Sequence, residues 1–411
     1  MKSPLLPIFL VVMVDVLGLT IMLPLLPFYA EHFGATPTVV GLLVSTYALC
    51  QLVAGPVLGR ISDHVGRKPV LLVSQMGTLA GFVVLAYAPN LLFVFLGRVI
   101  DGLTAGNLSI AQAYIADVTA PKERSRAFAV IGIAFGIGFL IGPGASGYLS
   151  THFGYHVPIL CAAALSLLSI LGTAFLLPLV PPHPDDAAVE DPAEAPIAPG
   201  GKRLRIFEWG VYVQYLRRPV LSGLLIQFFL FCFAFAMFTS GFALFAERRF
   251  TWRGVPFGPR EVGYAFMYAG LIGIFVQGSM RQGALVRRVG DARLVTLGFA
   301  CGAAGYALLG FSQGIPGLVG AATVASFGTG ILRPALTSLI TQHASRREQG
   351  VVLGLNQSLL SLAQIVAPAI AGALIDHGHL TLWALWAAAS LAFGLALNLR
   401  TRALDRRVPA T

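Results

Sequence analysis

The stretch GRISDHVGRK, Gly59–Lys68, separates two apolar runs, 38–58 and 70–88. Arg60, Asp63, Arg67 and Lys68 are too costly to leave in hydrocarbon, so the chain turns here at a membrane surface, and Gly66 supplies the tight turn. Outward from this loop, runs long enough to span a bilayer, about 20 residues each, recur along the chain. In the first half they are 5–29, 38–58, 70–88, 91–116, 126–150 and 156–180. In the second they are 220–246, 261–281, 293–312, 315–340, 351–375 and 380–399. The runs are continuous rather than alternating, which excludes a β-barrel. The expected fold is an all-α polytopic membrane protein with 12 transmembrane helices in two pseudo-symmetric six-helix bundles.

Composition agrees. Of 411 residues, 56% are hydrophobic and 11% charged, against about 25% charged in soluble domains. The net charge of +10 does not indicate nucleic acid, because Lys and Arg cluster between apolar runs. Of 28 basic residues, 22 fall at one set of segment ends, together with the termini and the central linker, and only Arg248, Arg249, Arg253 and Arg260 fall at the other. The positive-inside rule therefore places both termini in the cytoplasm, with a plasma membrane, bacterial inner membrane location. Cys50, Cys161, Cys232 and Cys301 lie inside apolar runs without a CxxC pair, so neither a disulfide framework nor a zinc site is expected. The first apolar run is long and carries Asp15, unlike a cleavable signal.

The expected domains are residues 1–180, a linker 181–219, residues 220–400 and a tail 401–411. The linker begins rich in Pro, Ala and acid, which reads as a flexible tether. Its second part, KRLRIFEWGVYVQYLRR, suits either a short helix on the membrane surface or a plain basic tether. The halves echo each other. GALVRRVGDARLV at Gly283 repeats the Gly59 loop, and Ala367-Pro368 repeats Gly142-Pro143. Two related six-helix halves fit a transporter that alternates about a central cavity.

Of 18 acidic residues, only Asp15 and Asp101 fall deep within a span, where an ionisable residue marks a functional site by default. Arg98 and Asp101 are three apart and share a helix face. Helical rise brings Asp15, Arg98 and Asp101 to similar depth. They are candidates for proton coupling, since desolvation and a neighbouring cation act oppositely on a carboxyl group. The alternative is a structural ion pair between the first and fourth spans, with Asp101 simply neutralising Arg98.

A candidate conformational latch comprises Gly59, Asp63, Gly66, Arg67, Lys68 and Asp117. Asp63 suits a cap on a neighbouring helix N-terminus, and Arg67 a pair with Asp117 at the end of the fourth span. Topology alone, with basic residues retained inside, accounts for Arg60 and Lys68. In the fifth span, Gly136, Gly142, Pro143 and Gly147 make either a hinge or a tight helix interface. Gln51, Asn107, Gln112, Gln227, Asn356 and Gln357 are candidate substrate-cavity residues; each is equally suited to bridging helices.

These motifs resemble the major facilitator superfamily. Residues 59–68 match its GxxxDxxGRR/K signature. GRVIDGLTAG at 97–106 resembles its fourth-helix motif with a buried Arg, and the Gly-rich fifth span resembles the antiporter motif of drug:proton exporters. Asp15-Val16-Leu17-Gly18 with Leu23-Pro24-Leu25-Leu26-Pro27 resembles their first-helix motif. Across nearly the whole chain the pattern is similar to the twelve-span tetracycline efflux group. The resemblance implies proton coupling at Asp15 and Arg98, a latch at Asp63, Arg67 and Asp117, and a fifth-span hinge. Those exporters place an acid in the third span that helps handle a cationic metal–drug chelate. Here Gly81 stands instead.

Enzyme motifs are missing from the sequence. There is no GxxxxGK[ST], HExxH or GxSxG, and the eight histidines lie in loops or at span ends. No metal, cofactor or nucleic acid is expected. The expected partners are a small-molecule substrate, protons and the lipid bilayer, and the expected state is a monomer. The leading expectation is proton-coupled efflux (antiport) of small, fairly apolar compounds. The competing ones are a proton-coupled nutrient symporter, a lipid or glycolipid flippase, and a membrane scaffold or receptor.

Overall fold

The computed structural model describes residues 5–119, 124–178, 218–281, 290–343 and 349–405. Helices fill most of them: α1 (Leu5–His32), α2 (Pro37–Val65), α3 (Arg67–Ala86), α4 (Leu91–Leu103), α5 (Asn107–Val118), α6 (Arg124–Phe153), α7 (His156–Leu176), α8 (Pro219–Arg249), α9 (Pro259–Arg281), α10 (Asp291–Phe311), α11 (Ile315–Gln342), α12 (Gln349–Asp376) and α13 (Leu380–Asp405). Together they make 12 spans long and apolar enough to cross a membrane, with α4 and α5 sharing the fourth. The proposed surface helix of the linker and the echo loop at 283–289 lie outside the described residues.

Helix boundaries follow local chemistry. Pro37 opens α2 behind Thr36, and the Asn90 side chain accepts the Phe93 N–H at the start of α4, satisfying one otherwise unpaired donor. Gly66, at φ 102°, ψ 150°, ends α2 and begins α3, a conformation that L side chains adopt only under strain.

The fourth span departs from the continuous helix expected over 91–116. It breaks at Thr104–Gly106. The Ser74 hydroxyl on α3 donates to the Thr104 carbonyl oxygen and accepts the Gly106 N–H at 3.0 Å. A neighbouring side chain thus satisfies backbone groups that the helix releases, which is what makes a break tolerable at membrane depth.

The residues cluster into two compact units. The first holds the described part of Met1–Ala188 together with Ser240–Leu271 and Pro368–Asp376; the second holds the described remainder. In the first unit α1 packs on α6 and α7, α3 on α4 and α7, and α2 on α4. Ile8, Val11, Val12, Leu71, Ile110, Tyr114 and Ala134 form its buried core.

Small residues set the closest approaches, as in membrane helix packing generally. A Cβ on Gly81 would stand 2.8 Å from the Asp101 Cβ and 2.9 Å from the Gly97 carbonyl oxygen. A Cβ on Gly142 would overlap the Thr20 hydroxyl, which donates to the Gly138 carbonyl at 2.9 Å. Two further joints in this unit are related by the chain's internal repeat. Gly147 and Gly263 lie against the Pro259 and Pro143 carbonyls, bringing α6 onto α9; Gly372 and Gly41 lie against the Pro37 and Pro368 carbonyls, bringing α12 onto α2.

In the second unit α10 packs on α11 and α13. The Gln227 amide donates to Thr401 at 3.3 Å and accepts from Asn398 at 2.9 Å, and Thr296 donates to Asn398 at 2.8 Å. These polar groups satisfy one another inside the bundle, as burial requires.

Candidate functional site

A cavity of about 120 Å³ lies among the first-unit helices, lined by Asp15, Tyr47, Gln51, Thr78, Phe82, Arg98, Asp101 and Asn107 among others. Asp15, midway along α1, keeps partial exposure into it and faces the Ser169 hydroxyl of α7 and the Gln75 amide of α3. The Gln75 amide in turn donates to Ser169 at 2.8 Å.

Arg98 and Asp101 are one helical turn apart on α4, with Nη1 and Oδ2 at 2.9 Å. Both are buried, at 5% and 6% exposure, so each charge needs the other. The guanidinium also sits 4.2 Å from the Tyr47 ring centroid, a favourable placement for a desolvated cation. Among the described residues Arg98 Nε has no hydrogen-bond partner. Two carboxyl groups and one guanidinium share this space. Asp101 is committed to Arg98, whereas Asp15 makes no ion pair among the described residues. Asp15 is therefore the carboxyl group whose charge no paired cation fixes.

The second cluster lies where α2 turns into α3. Arg67 Nε reaches Asp117 Oδ2 at 2.9 Å; its Nη1 pairs with Asp63 and donates to the Ser62 hydroxyl at 2.8 Å. Asp63 differs from the helix-capping position expected for it: one turn before Arg67, it is the arginine's nearest acid. Lys68 also takes a more particular place than topology requires, donating to the Ala174 and Leu177 carbonyls at 2.8 and 2.7 Å. It satisfies free acceptors at the end of α7. Gly59 accepts a hydrogen bond from Ser62.

The other predicted site residues separate. Gln51 and Asn107 line the cavity, with the Asn107 amide 3.4 Å from the Thr78 hydroxyl. Gln112 and Gln357 are exposed outside it, Gln227 belongs to the α8–α13 network, and Asn356 is buried in the second unit, both amide atoms unpartnered among the described residues. Of the fifth-span residues, Gly142 lies under Thr20, Pro143 and Gly147 form the α6–α9 joint, and Gly136 is half-buried. Tyr47, Gln75, Thr78 and Ser169 were not picked out in sequence. Gln75 is a mid-span amide of the kind that marked Gln51, and Tyr47 lies one turn before Gln51.

At the other end of the first-unit helices, Arg248 Nη2 meets Glu31 at 2.6 Å and its Nη1 meets Glu247 at 2.9 Å. The Thr38 hydroxyl donates to Asp376 at 2.6 Å.

Twelve spans with ionisable groups around a membrane-depth cavity define a membrane transporter. The chain belongs to the Major Facilitator Superfamily, whose family model matches residues 8–281 and 278–410. It is 29% identical to the class C tetracycline resistance protein of Escherichia coli, over 88% of this chain and 87% of that one. It is 26% identical to multidrug resistance protein 2 of Bacillus subtilis, over 89% and 87%. Among solved structures it superposes on the human organic anion transporter MFSD10 with TM-score 0.69 and 23% identity, covering 96% of this chain and 98% of that one.

Proposed function

We propose that this transporter exports small, fairly apolar compounds in exchange for protons, with Asp15 as the proton-carrying group. The reading takes both termini as cytoplasmic and the two six-helix halves, 1–180 and 220–400, as the bodies that alternate. The observation that carries it is the division of labour in the cavity: Asp101 holds Arg98, and Asp15 is left to gain and lose a proton. In the protonated state Asp15 is neutral and costs little in a low-dielectric site. In the ionised state it draws on Ser169 and Gln75. Substrate bound beside this cavity as the transporter opens changes this balance and so couples its own binding to proton release. The Arg67 cluster serves as the conformational latch. Its partners are half-exposed carboxylates, which hold a state without fixing it permanently.

Similarity to tetracycline and multidrug resistance proteins supports export. For a metal–drug chelate the third span offers no acid, and the α3–α4 approach at Gly81 leaves no room for one. This favours uncharged or weakly charged apolar substrates.

Asp15→Asn tests the reading. The expected result is loss of gradient-driven transport in proteoliposomes with substrate binding still measurable, and loss of substrate-induced proton release. Unchanged pumping by this variant removes Asp15 from the mechanism.

A further inference from the structure

We propose that a second site binds an amphipathic organic anion of drug size, between the end of α6 and the hairpin that joins α8 to α9. A cavity of about 540 Å³ lies there, inside the 300–1,000 Å³ range of small-molecule pockets. It shares no lining residue with the Asp15 cavity. Ser150, Thr151 and Tyr155 form one wall, and Trp252, Arg253 and Arg260 the other. Pro256 and Pro259 add rigid apolar surface.

The hairpin is built to hold its position. Thr251–Trp252 pairs antiparallel with Val255–Pro256. A two-stranded hairpin is marginal alone, but here Phe250 and Phe257 clamp its base, 2% and 5% exposed with ring centroids 5.7 Å apart. At the tip, Arg253 has φ 53° and Gly254 φ 79°, the pattern of a type I′ turn, whose first central position favours Asn, Asp or Gly. Among the described residues Arg253 is the one non-glycine at positive φ. The turn carries a cation where its geometry favours a small residue, and that residue lines the cavity.

Charge and polarity select the ligand. Of the four arginines at this end of the molecule, Arg248 is held by Glu31 and Glu247, and Arg260 by Glu261. Glu261 also accepts the Gly258 N–H, so the acid in the lining is already engaged. Arg253 pairs with no carboxylate among the described residues and lies 6.0 Å from the Trp252 ring centroid. Tyr155 stands near Glu247 and Glu31, which with burial push its phenol above its usual range, so the anion's place is at Arg253 rather than on that side of the lining. Trp252 and Val255, at 45% and 64% exposure, present apolar surface in the same lining. One anionic group at Arg253, with a flat apolar body on Trp252 and the prolines, fits this lining.

The probe is 1-naphthalenesulfonate, titrated calorimetrically into the full chain in phosphatidylcholine nanodiscs, with neutral 1-naphthalenemethanol as the control. The sulfonate is expected to bind saturably and the alcohol at least about tenfold more weakly. Arg253→Asn suits the turn and removes the cation; it is expected to weaken sulfonate binding at least about tenfold, while Arg253→Lys retains most of it. Asp15→Asn leaves this binding unchanged, which separates the site from the proton-coupled cavity. Equal affinity for the alcohol, or wild-type affinity in Arg253→Asn, overturns the proposal. So does loss of sulfonate binding in nanodiscs containing phosphatidylglycerol, which would assign the site to a lipid headgroup.

Discussion

At Gly66 the backbone passes through φ 102°, ψ 150°; at Gly290, 224 residues on (290 − 66), it passes through φ 80°, ψ 146°. Each glycine opens a helix whose first residue reaches the end of another helix in its own half. In the first half Arg67 binds Asp117 on α5. In the second Asp291 accepts from Ser338 at 2.8 Å and Gln342 at 3.0 Å on α11. The circuit is the same and the chemistry differs. The first turn is an ion-pair cluster that can exchange one partner for another; the second, among the described residues, is a set of hydrogen bonds from uncharged donors. Asp15, Arg98 and Asp101 also lie in the first half. Duplication has preserved a backbone path, while the cavity cluster of Asp15, Arg98 and Asp101 stands in the first copy.

The strongest way to break this comparison is to remove the two reaching side chains in parallel. Arg67→Ala leaves Asp63 and Asp117 without their cation and is expected to slow transport in proteoliposomes more than about tenfold, equivalent to about 1.4 kcal/mol on the switching barrier. Asp291→Ala is expected to cost less than about threefold, since it removes hydrogen bonds of modest net worth. Equal losses would mean that the charge difference carries no function.

The repeat-related joints sharpen the same point without charge. Gly147→Ala and Gly372→Ala each drive a methyl group into a proline carbonyl, Pro259 and Pro37 respectively. Each is expected to lower stability by about 1–3 kcal/mol, seen as similar drops in thermal unfolding midpoint in the same detergent. Unequal drops would show that the two joints are not equivalent. The smallest effect belongs to the turns themselves. Gly66→Ala and Gly290→Ala both force a Cβ into positive φ, at about 1–2 kcal/mol each, and the two unfolding shifts should agree.

Much of the fold was legible because hydrocarbon imposes one dominant requirement, a run of about 20 apolar residues with its backbone bonded internally. The contact between Arg67 and Asp117 was legible because both sit at span ends expected on the same face of the membrane. The break at Thr104–Gly106 was not. It depends on Ser74, one hydroxyl on another helix, and the hydropathy of 91–116 is unaffected by it. Asp63 was assigned to a helix N-terminus because an acid there is favourable in general. In the structure the arginine one turn later is closer and charged. Gln227 shows the reverse difficulty. A mid-span amide reads the same whether it meets substrate or, as here, Asn398 and Thr401. The pairing of Arg248 with Glu31 lay beyond sequence because it links residues 217 positions apart.

That distance bears on how the protein is made. Thr38 and Asp376 are separated by 338 positions, and Gly41 waits for Pro368. At about 5–20 residues per second, the ribosome needs on the order of tens of seconds to deliver the second member of each pair. Through that interval the first six spans sit in the bilayer with their contact glycines uncovered. A nascent half-transporter must therefore be tolerated by lipid or by insertion factors until its sibling arrives, and truncation before residue 368 would leave the α2 side of this joint permanently unmade.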